Sequence, residues 1–339
     1  MAPYRTRALQ DPATIALIAP DQWLPHRADL SGDIEAPIAG LWMVIGALLS
    51  LCGVALMMRH ANLRFDFFAP VNGVLLSAAL LAGSIRFAYR LPTTRTQRIA
   101  RDAAEYLGLF TMLCVLGAVA SYPAAAGTSG YVDATLERID RIFRFNWVGW
   151  YDFTVAHRSL QILGGIAYAS IYVTPIIILC YYAQADRKAE ARAFIASFWV
   201  AAILTLVLFM AFPAEGPLAY LLHGPVPYMP TSALYQSQLI PVLRSGSLQE
   251  VSLSSLRGLV CAPSFHTTSA VLFMLFAWPV RSLRWPLICL NVAMLLSIPV
   301  EGTHYLADMI GGALVAIVAF TALKFVSRKL VLRRQASAG

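Results

Sequence analysis

Apolar runs long enough to cross a lipid bilayer dominate this sequence and leave few folds open to it. A membrane helix needs about 20 mainly apolar residues, and such runs lie near 37–58, 67–89, 103–122, 159–182, 193–213, 262–280, 285–302 and 305–326. In hydrocarbon every backbone N–H and C=O must be bonded within the protein, so only helices and closed barrels span it. Runs this long and this continuously apolar select helices. With 58% hydrophobic and 13% charged residues, the chain lies outside the usual composition of a soluble domain. The expected fold is all-α, a polytopic membrane helical bundle with about eight transmembrane helices. Two runs fit the pattern least: the second carries Arg86 near its end, and the seventh is short and interrupted by Pro299.

The net charge of +8 raises nucleic acid as a partner, but basic residues beside membrane spans encode orientation. With the N-terminus placed inside, 18 of the 26 Lys and Arg fall on the cytoplasmic side. This predicts cytoplasmic termini, with the loops 123–158, 214–261 and 301–304 outside. The expected partner is the bilayer, and no nucleic acid is implied. Residues 1–36 contain one short apolar stretch, too poorly flanked for a secretory signal, and are expected to stay as a cytoplasmic tail. The five cysteines are scattered singly and give no disulfide framework or zinc spacing. Cys261 stands beside a polar motif but receives no role from the sequence.

Two segments depart from spans joined by short loops. In "YVDATLERIDRIFRFNWVGWYDF", Val132, Leu136, Ile139 and Phe143 fall at helical spacing, while Asp133, Glu137, Asp140, Arg141 and Arg144 occupy the other face. This reads as an amphipathic helix at the membrane interface, followed by Trp147, Trp150 and Tyr151 at headgroup level. It either anchors the fold or borders a lipid access route. The second segment, 214–258, holds five prolines and no strong periodicity; long loops of this kind tend to be lids or binding loops.

Ionisable groups at span boundaries are costly unless they are used. Glu215, His223, Arg257, His266, Glu301, His304 and Asp308 all gather at the outer ends of the fifth to eighth spans or in their loops. In "EGTHYLADMIGG", His304 and Asp308 are four residues apart and share a helix face. An Asp there holds one imidazole nitrogen and leaves the other facing a substrate. Gly311 and Gly312, one turn on, allow close approach of another helix. In "CAPSFHTTSAVLF", Pro263 and Ser264 suit a helix start, whose free N–H groups bind anions. His266, if protonated, is placed to give a proton to a leaving oxygen. Together these elements describe a phosphate cradled between two histidines.

"PSFH" (263–266) followed by Ser297, His304, Tyr305 and Asp308 in the pattern S-x6-H-Y-x-x-D resembles the second and third signatures of the type 2 phosphatidic acid phosphatase superfamily. Phe265 between Ser and His, the "HY" pair, "DATLERIDRIFRFNW" and the "FPAEGP" turn (212–217) are similar to its inositol phosphorylceramide synthase-type (inositolphosphotransferase) branch. The resemblance covers roughly 100–327 and implies a six-helix catalytic core there, with residues 37–99 as two accessory transmembrane helices and 328–339 as a basic cytoplasmic tail. It implies that His304 attacks phosphorus and forms a phosphohistidine, that Asp308 orients it and that His266 protonates the leaving group. Ser264 would hold phosphate oxygens. The substrate would be a lipid phosphate or phospholipid, with no cofactor and no metal, at the outer face of what is expected to be a bacterial inner membrane.

The departures carry weight. The first signature of the superfamily, K-x6-R-P, is not found in this chain, and Ile298 stands where the third signature has Arg. Arg257, nine residues before His266, is the replacement cation that the sequence offers, or else an interfacial arginine. A dianionic phosphate draws on Arg and Lys forks, whereas a phosphodiester carries one less charge, which favours transfer of a phospho-headgroup over removal of phosphate. Hydrolysis of a lipid phosphate is the alternative. A lipid or anion transporter is another, although it calls for charges near mid-span and paired broken helices. A third reading takes His266, Glu301, His304 and Asp308 as zinc ligands.

Overall fold

The computed structural model describes residues 40–336; the tail 1–36, the first residues of the first run and the last three of the basic tail lie outside them. Thirteen helices follow in order: α1 (Gly40–His60), α2 (Pro70–Ala88), α3 (Arg95–Ala126), α4 (Asp133–Ile142), α5 (Trp147–Ala156), α6 (Arg158–Ala169), α7 (Thr174–Gln184), α8 (Lys188–Ala211), α9 (Pro217–Leu221), α10 (Tyr235–Arg244), α11 (Phe265–Ala277), α12 (Arg284–Glu301) and α13 (Leu306–Ala336). The architecture is the all-α membrane bundle that the apolar runs require.

Six helices, α1, α2, α3, α8, α12 and α13, are each long and apolar enough to cross a membrane. The fourth run is not one helix. It divides into α6 and α7, bent by 42° at the break. Pro175 sits in the first turn of α7, where its missing N–H is tolerated but continuation of a preceding helix is not. The sixth run is shorter than its composition suggests: α11 has 13 residues, about 20 Å, because Pro263 and Pro279 bracket it. Among the described residues there are therefore six single helices long and apolar enough to span, a seventh if the bent pair is one, and a short apolar helix, in place of eight equivalent spans. Pro299, by contrast, does not interrupt α12, which continues through it to Glu301.

The main core lies among α3, α7, α8, α11, α12 and α13, where Phe110, Phe194, Phe198, Phe273 and Phe276 pack ring to ring. α2 has no buried residue and packs on α3; its Val74, Leu76, Leu80 and Leu81 are each more than 60% exposed. A face so apolar and uncovered is stable in lipid and not in water. The long outer segment is not structureless. It carries α9 and α10, and Glu250–Val251 (β2) pairs in parallel with Arg64–Phe65 (β1), the one sheet among the described residues. That pairing ties the segment back to the link between α1 and α2.

Trp147 and Tyr151, expected at headgroup level, pack inside the protein. Both are buried, with Trp147 Nε1 donating to the Pro299 carbonyl at 2.7 Å and the Tyr151 hydroxyl donating to the Tyr228 carbonyl at 2.7 Å. Their polar atoms have protein partners, as buried Trp and Tyr usually do. Trp150 alone of the three is exposed.

Candidate active site

Three helix ends meet: the C-terminus of α12 and the N-termini of α11 and α13. His304 stands in the four-residue link between α12 and α13, and its amide donates to the Pro299 carbonyl at 3.2 Å. Asp308 lies in the first turn of α13. His304 Nδ1 is 3.1 Å from Asp308 Oδ1, and the Tyr305 amide donates to Asp308 Oδ2 at 3.0 Å. Both side chains are buried. The carboxylate is thus fixed by its own helix start and faces the ring nitrogen, which leaves Nε2 as the free position of the imidazole.

Ser264 caps α11. Its hydroxyl accepts from the Thr267 amide at 3.4 Å and from the Thr267 hydroxyl at 3.2 Å, and its own amide donates to the Asp308 carbonyl at 3.0 Å. The starts of α11 and α13 are therefore bonded directly to each other. Gly312 makes this approach feasible: a Cβ there would stand 2.3 Å from the Ser264 carbonyl oxygen, inside van der Waals contact.

His266 points from the first turn of α11 onto Tyr168, near the end of α6. The rings stack with centroids 4.0 Å apart, and His266 Nδ1 is 3.1 Å from the Tyr168 hydroxyl. With Nδ1 engaged, Nε2 is the nitrogen left to exchange a proton. Tyr168 was not anticipated, since one tyrosine in an apolar run gives no signal of its partner.

The segment expected to lie at the interface also makes contacts inside the protein. α4 exposes Ile142 and Phe143, but Asp133 and Asp140 are only 1% and 2% exposed. Asp140 accepts from the Leu306 and Ala307 amides at 3.0 and 2.7 Å, satisfying two free donors at the start of α13 with a negative charge at its positive end. Asp133 accepts from the Glu215 and Gly216 amides at 3.0 and 2.9 Å and from the Tyr305 hydroxyl at 3.1 Å. One short helix thus binds the 212–217 turn and the strip 305–307 beside His304. The seven-residue spacing of Asp133 and Asp140 was the available clue, because it places both on one helix face. Burial pushes Asp140 up to about 6 in spite of its backbone bonds, and burial with the nearby Asp133 raises Glu215.

Glu301, at the end of α12, faces the outer segment: it accepts from the Tyr228 hydroxyl at 2.6 Å, and from the Thr231 hydroxyl and amide at 2.6 and 3.0 Å. Burial, followed by that bond, raises the Tyr228 phenol. Glu215 and His223 line a separate groove of about 340 Å³ with Glu137, Arg141 and Tyr220. The four residues read as possible zinc ligands are therefore not one cluster. The set that the structure brings together is Cys261, His304 and Asp308, with ligating atoms within 4.8 Å of one another. Arg257 is exposed; its amide donates to the Tyr122 hydroxyl at 3.0 Å and its guanidinium lies 4.7 Å over the Tyr235 ring. Both residues are aromatic, and neither belongs to the histidine cluster. Ile298 is fully buried in the main core, and Phe265 packs edge-on to Phe198.

The profile of the PAP2 superfamily matches residues 134–322, more than half of the chain. The chain belongs to the PAP2 superfamily. The match runs from α4 to α13, so it takes in Asp140, His266, His304 and Asp308 together, while α1, α2 and α3 lie outside it. Superfamily members are generally phosphatases or phosphotransferases, which fits an integral membrane protein with lipid phosphate chemistry. Comparison with curated proteins and with solved structures gives no match.

Proposed function

We propose that this chain transfers a phospho-headgroup from a lipid donor to an acceptor through a phosphohistidine at His304, with no metal required. The observation that carries the reading is the buried His304–Asp308 contact of 3.1 Å at the start of α13, which is bonded to the start of α11 through the Ser264 amide and the Asp308 carbonyl. Asp308 holds the Nδ1 proton and stabilises the imidazolium that develops as Nε2 attacks phosphorus. The leaving oxygen takes its proton from His266 Nε2. The acceptor then enters on the same side and displaces His304, with His266 now receiving the acceptor's proton. Amides at the start of α11, with the Ser264 hydroxyl, receive phosphate oxygens, and Arg257 is the cation nearest in sequence to assist from outside.

The lipid chains would lie along the uncovered apolar surface and the headgroup would enter from the outer face, with both termini cytoplasmic, as the distribution of basic residues suggests. Phe265 and the Ile at position 298 favour the inositolphosphotransferase-type branch and a monoanionic diester over a dianionic monoester. Water as acceptor gives the alternative, a lipid phosphate phosphatase, by the same steps.

The deciding experiment supplies purified protein with headgroup-labelled phospholipids, with and without a lipid alcohol. Label in a new lipid that depends on the alcohol supports transfer. Label released into water in both cases, as the phospho-headgroup from a diester or as free phosphate from a monoester, supports hydrolysis, and no release from any lipid donor overturns both.

A further inference from the structure

Cys261 is fully buried, stands three residues before the cap of α11, and has no part in the steps above. Its sulfur lies 4.0 Å from His304 Nδ1, 3.8 Å from Asp308 Oδ2 and 3.9 Å from the Thr303 carbonyl. A buried thiol, an imidazole and a carboxylate facing one point form the donor set preferred by borderline-soft divalent ions.

We propose that Cys261, His304 and Asp308 form a capture site for a thiophilic divalent cation, zinc or cadmium, and that its occupation shuts off the phosphoryl chemistry. The inference rests on the reading of His304 as nucleophile, and it concerns an inhibitory ion and not a catalytic one. Tetrahedral zinc with bonds of about 2.0–2.3 Å separates its ligand atoms by about 3.3–3.6 Å. Sulfur lies 4.0 Å from Nδ1 and 3.8 Å from Oδ2, Nδ1 lies 3.1 Å from Oδ1, and one ligating atom from each residue falls within 4.8 Å of the others, so movements of about an ångström bring the sulfur, the ring nitrogen and one carboxylate oxygen to that spacing. Water or a phosphate oxygen supplies the fourth ligand.

The balance explains the inhibition. On binding, the thiol proton leaves to solvent and the sulfur becomes a thiolate. The Nδ1 lone pair is needed by the metal, so the single proton of the neutral ring moves from Nδ1 to Nε2. The nitrogen that must attack phosphorus then has no free lone pair, and Asp308 is engaged with the ion instead of the ring.

The test uses the full chain purified in detergent and metal-free buffer. Wild-type protein is dialysed against zinc or cadmium chloride, and bound metal is measured by elemental mass spectrometry. Loading with cobalt gives a second readout, the thiolate-to-cobalt absorption band. The expected result is about one ion per chain, with affinity reduced at least about tenfold in Cys261→Ser and Cys261→Ala and unchanged in His266→Ala. A chain in which Cys52, Cys114, Cys180 and Cys289, the other free cysteines, are replaced by Ala keeps both ion and band, which decides the matter even if the Cys261 variants fail to fold. No uptake by wild type, or uptake and band lost with those four cysteines, overturns the proposal. Inhibition is scored separately: the half-inhibiting zinc concentration rises at least about tenfold in Cys261→Ser, and equal sensitivity overturns the switch. Because uptake is read without turnover, a chain that binds the ion yet acts on no lipid refutes the phosphoryl reading and not the cation site.

Discussion

The two ends of the bundle handle buried acid groups in different ways. Where α3 and α8 begin, carboxylates meet cations: Asp102 lies 2.7 Å from Arg101 and 3.8 Å from Lys188, and Glu105 is held between Arg86 and Arg192 at 2.8 and 2.9 Å. Where α12 stops and α11 and α13 start, the carboxylates are bound by amides, hydroxyls and an imidazole. Asp133 and Asp140 take backbone N–H groups, Glu301 takes Tyr228 and Thr231, and Asp308 takes the Tyr305 amide and faces His304. An ion pair fixes charge but tolerates movement of long side chains. A carboxylate bonded to consecutive amides fixes the path of the backbone, and here that backbone carries His304. The second arrangement suits a site whose geometry must not drift.

The contrast can be broken most sharply at His304. His304→Ala is expected to lower turnover by about 10⁴-fold or more and Asp308→Asn by about 10³- to 10⁴-fold, in steady-state assays on detergent-solubilised protein of unchanged thermal stability. Retained turnover in His304→Ala removes the nucleophile from this end of the molecule. Next in size is Asp140→Ala, which leaves the Leu306 and Ala307 amides unpaired and is expected to cost about 1–3 kcal/mol, read as a lower melting temperature together with lower kcat. Asp140 also makes a pH test. Its folded value of about 6 stands above the ordinary 3.8, so the stability it contributes is fully present below that ordinary value and is lost as pH rises through about 6. Asp140→Asn should flatten the melting-temperature profile across that window; an unchanged slope assigns the dependence to another group. The smallest effect is expected at the other end. Arg98 and Asp186 pair at 2.9 Å with about a third of each side chain exposed, so Arg98→Gln should change stability by about 0.5 kcal/mol or less and turnover not at all. A large loss of turnover there would mean that the two ends are coupled.

The helical class and most span positions were legible because period and length alone carry them, and the spacing of His304 and Asp308 was legible because neighbouring turns must meet. What escaped was decided across the chain. The pattern of α4 shows an amphipathic helix but not that Asp133 and Asp140 are buried against amides more than 80 residues away, a pairing that no local pattern encodes. Tyr168 meets His266 only through the bend between α6 and α7 and the short α11. The prolines that shorten α11 were visible, but whether a proline ends a helix depends on its surroundings, as the uninterrupted passage of α12 through Pro299 shows. Arg257 was singled out by proximity in sequence, and its aromatic contacts with Tyr235 reflect an outer segment whose folding into α10 the prolines concealed.

Ile298 limits how this site can be altered. An arginine installed there to restore the commoner superfamily signature would enter the apolar core as an unpaired charge stripped of water, at a cost of several kcal/mol. A guanidinium is also longer than the isoleucine it replaces, so neighbouring side chains would have to be cut back to admit it. The change is therefore not one mutational step from this sequence: its benefit to phosphate binding could be collected only after other core residues had yielded, and each of those losses is destabilising by itself. Two signatures that differ by one letter on paper are separated by a valley in stability.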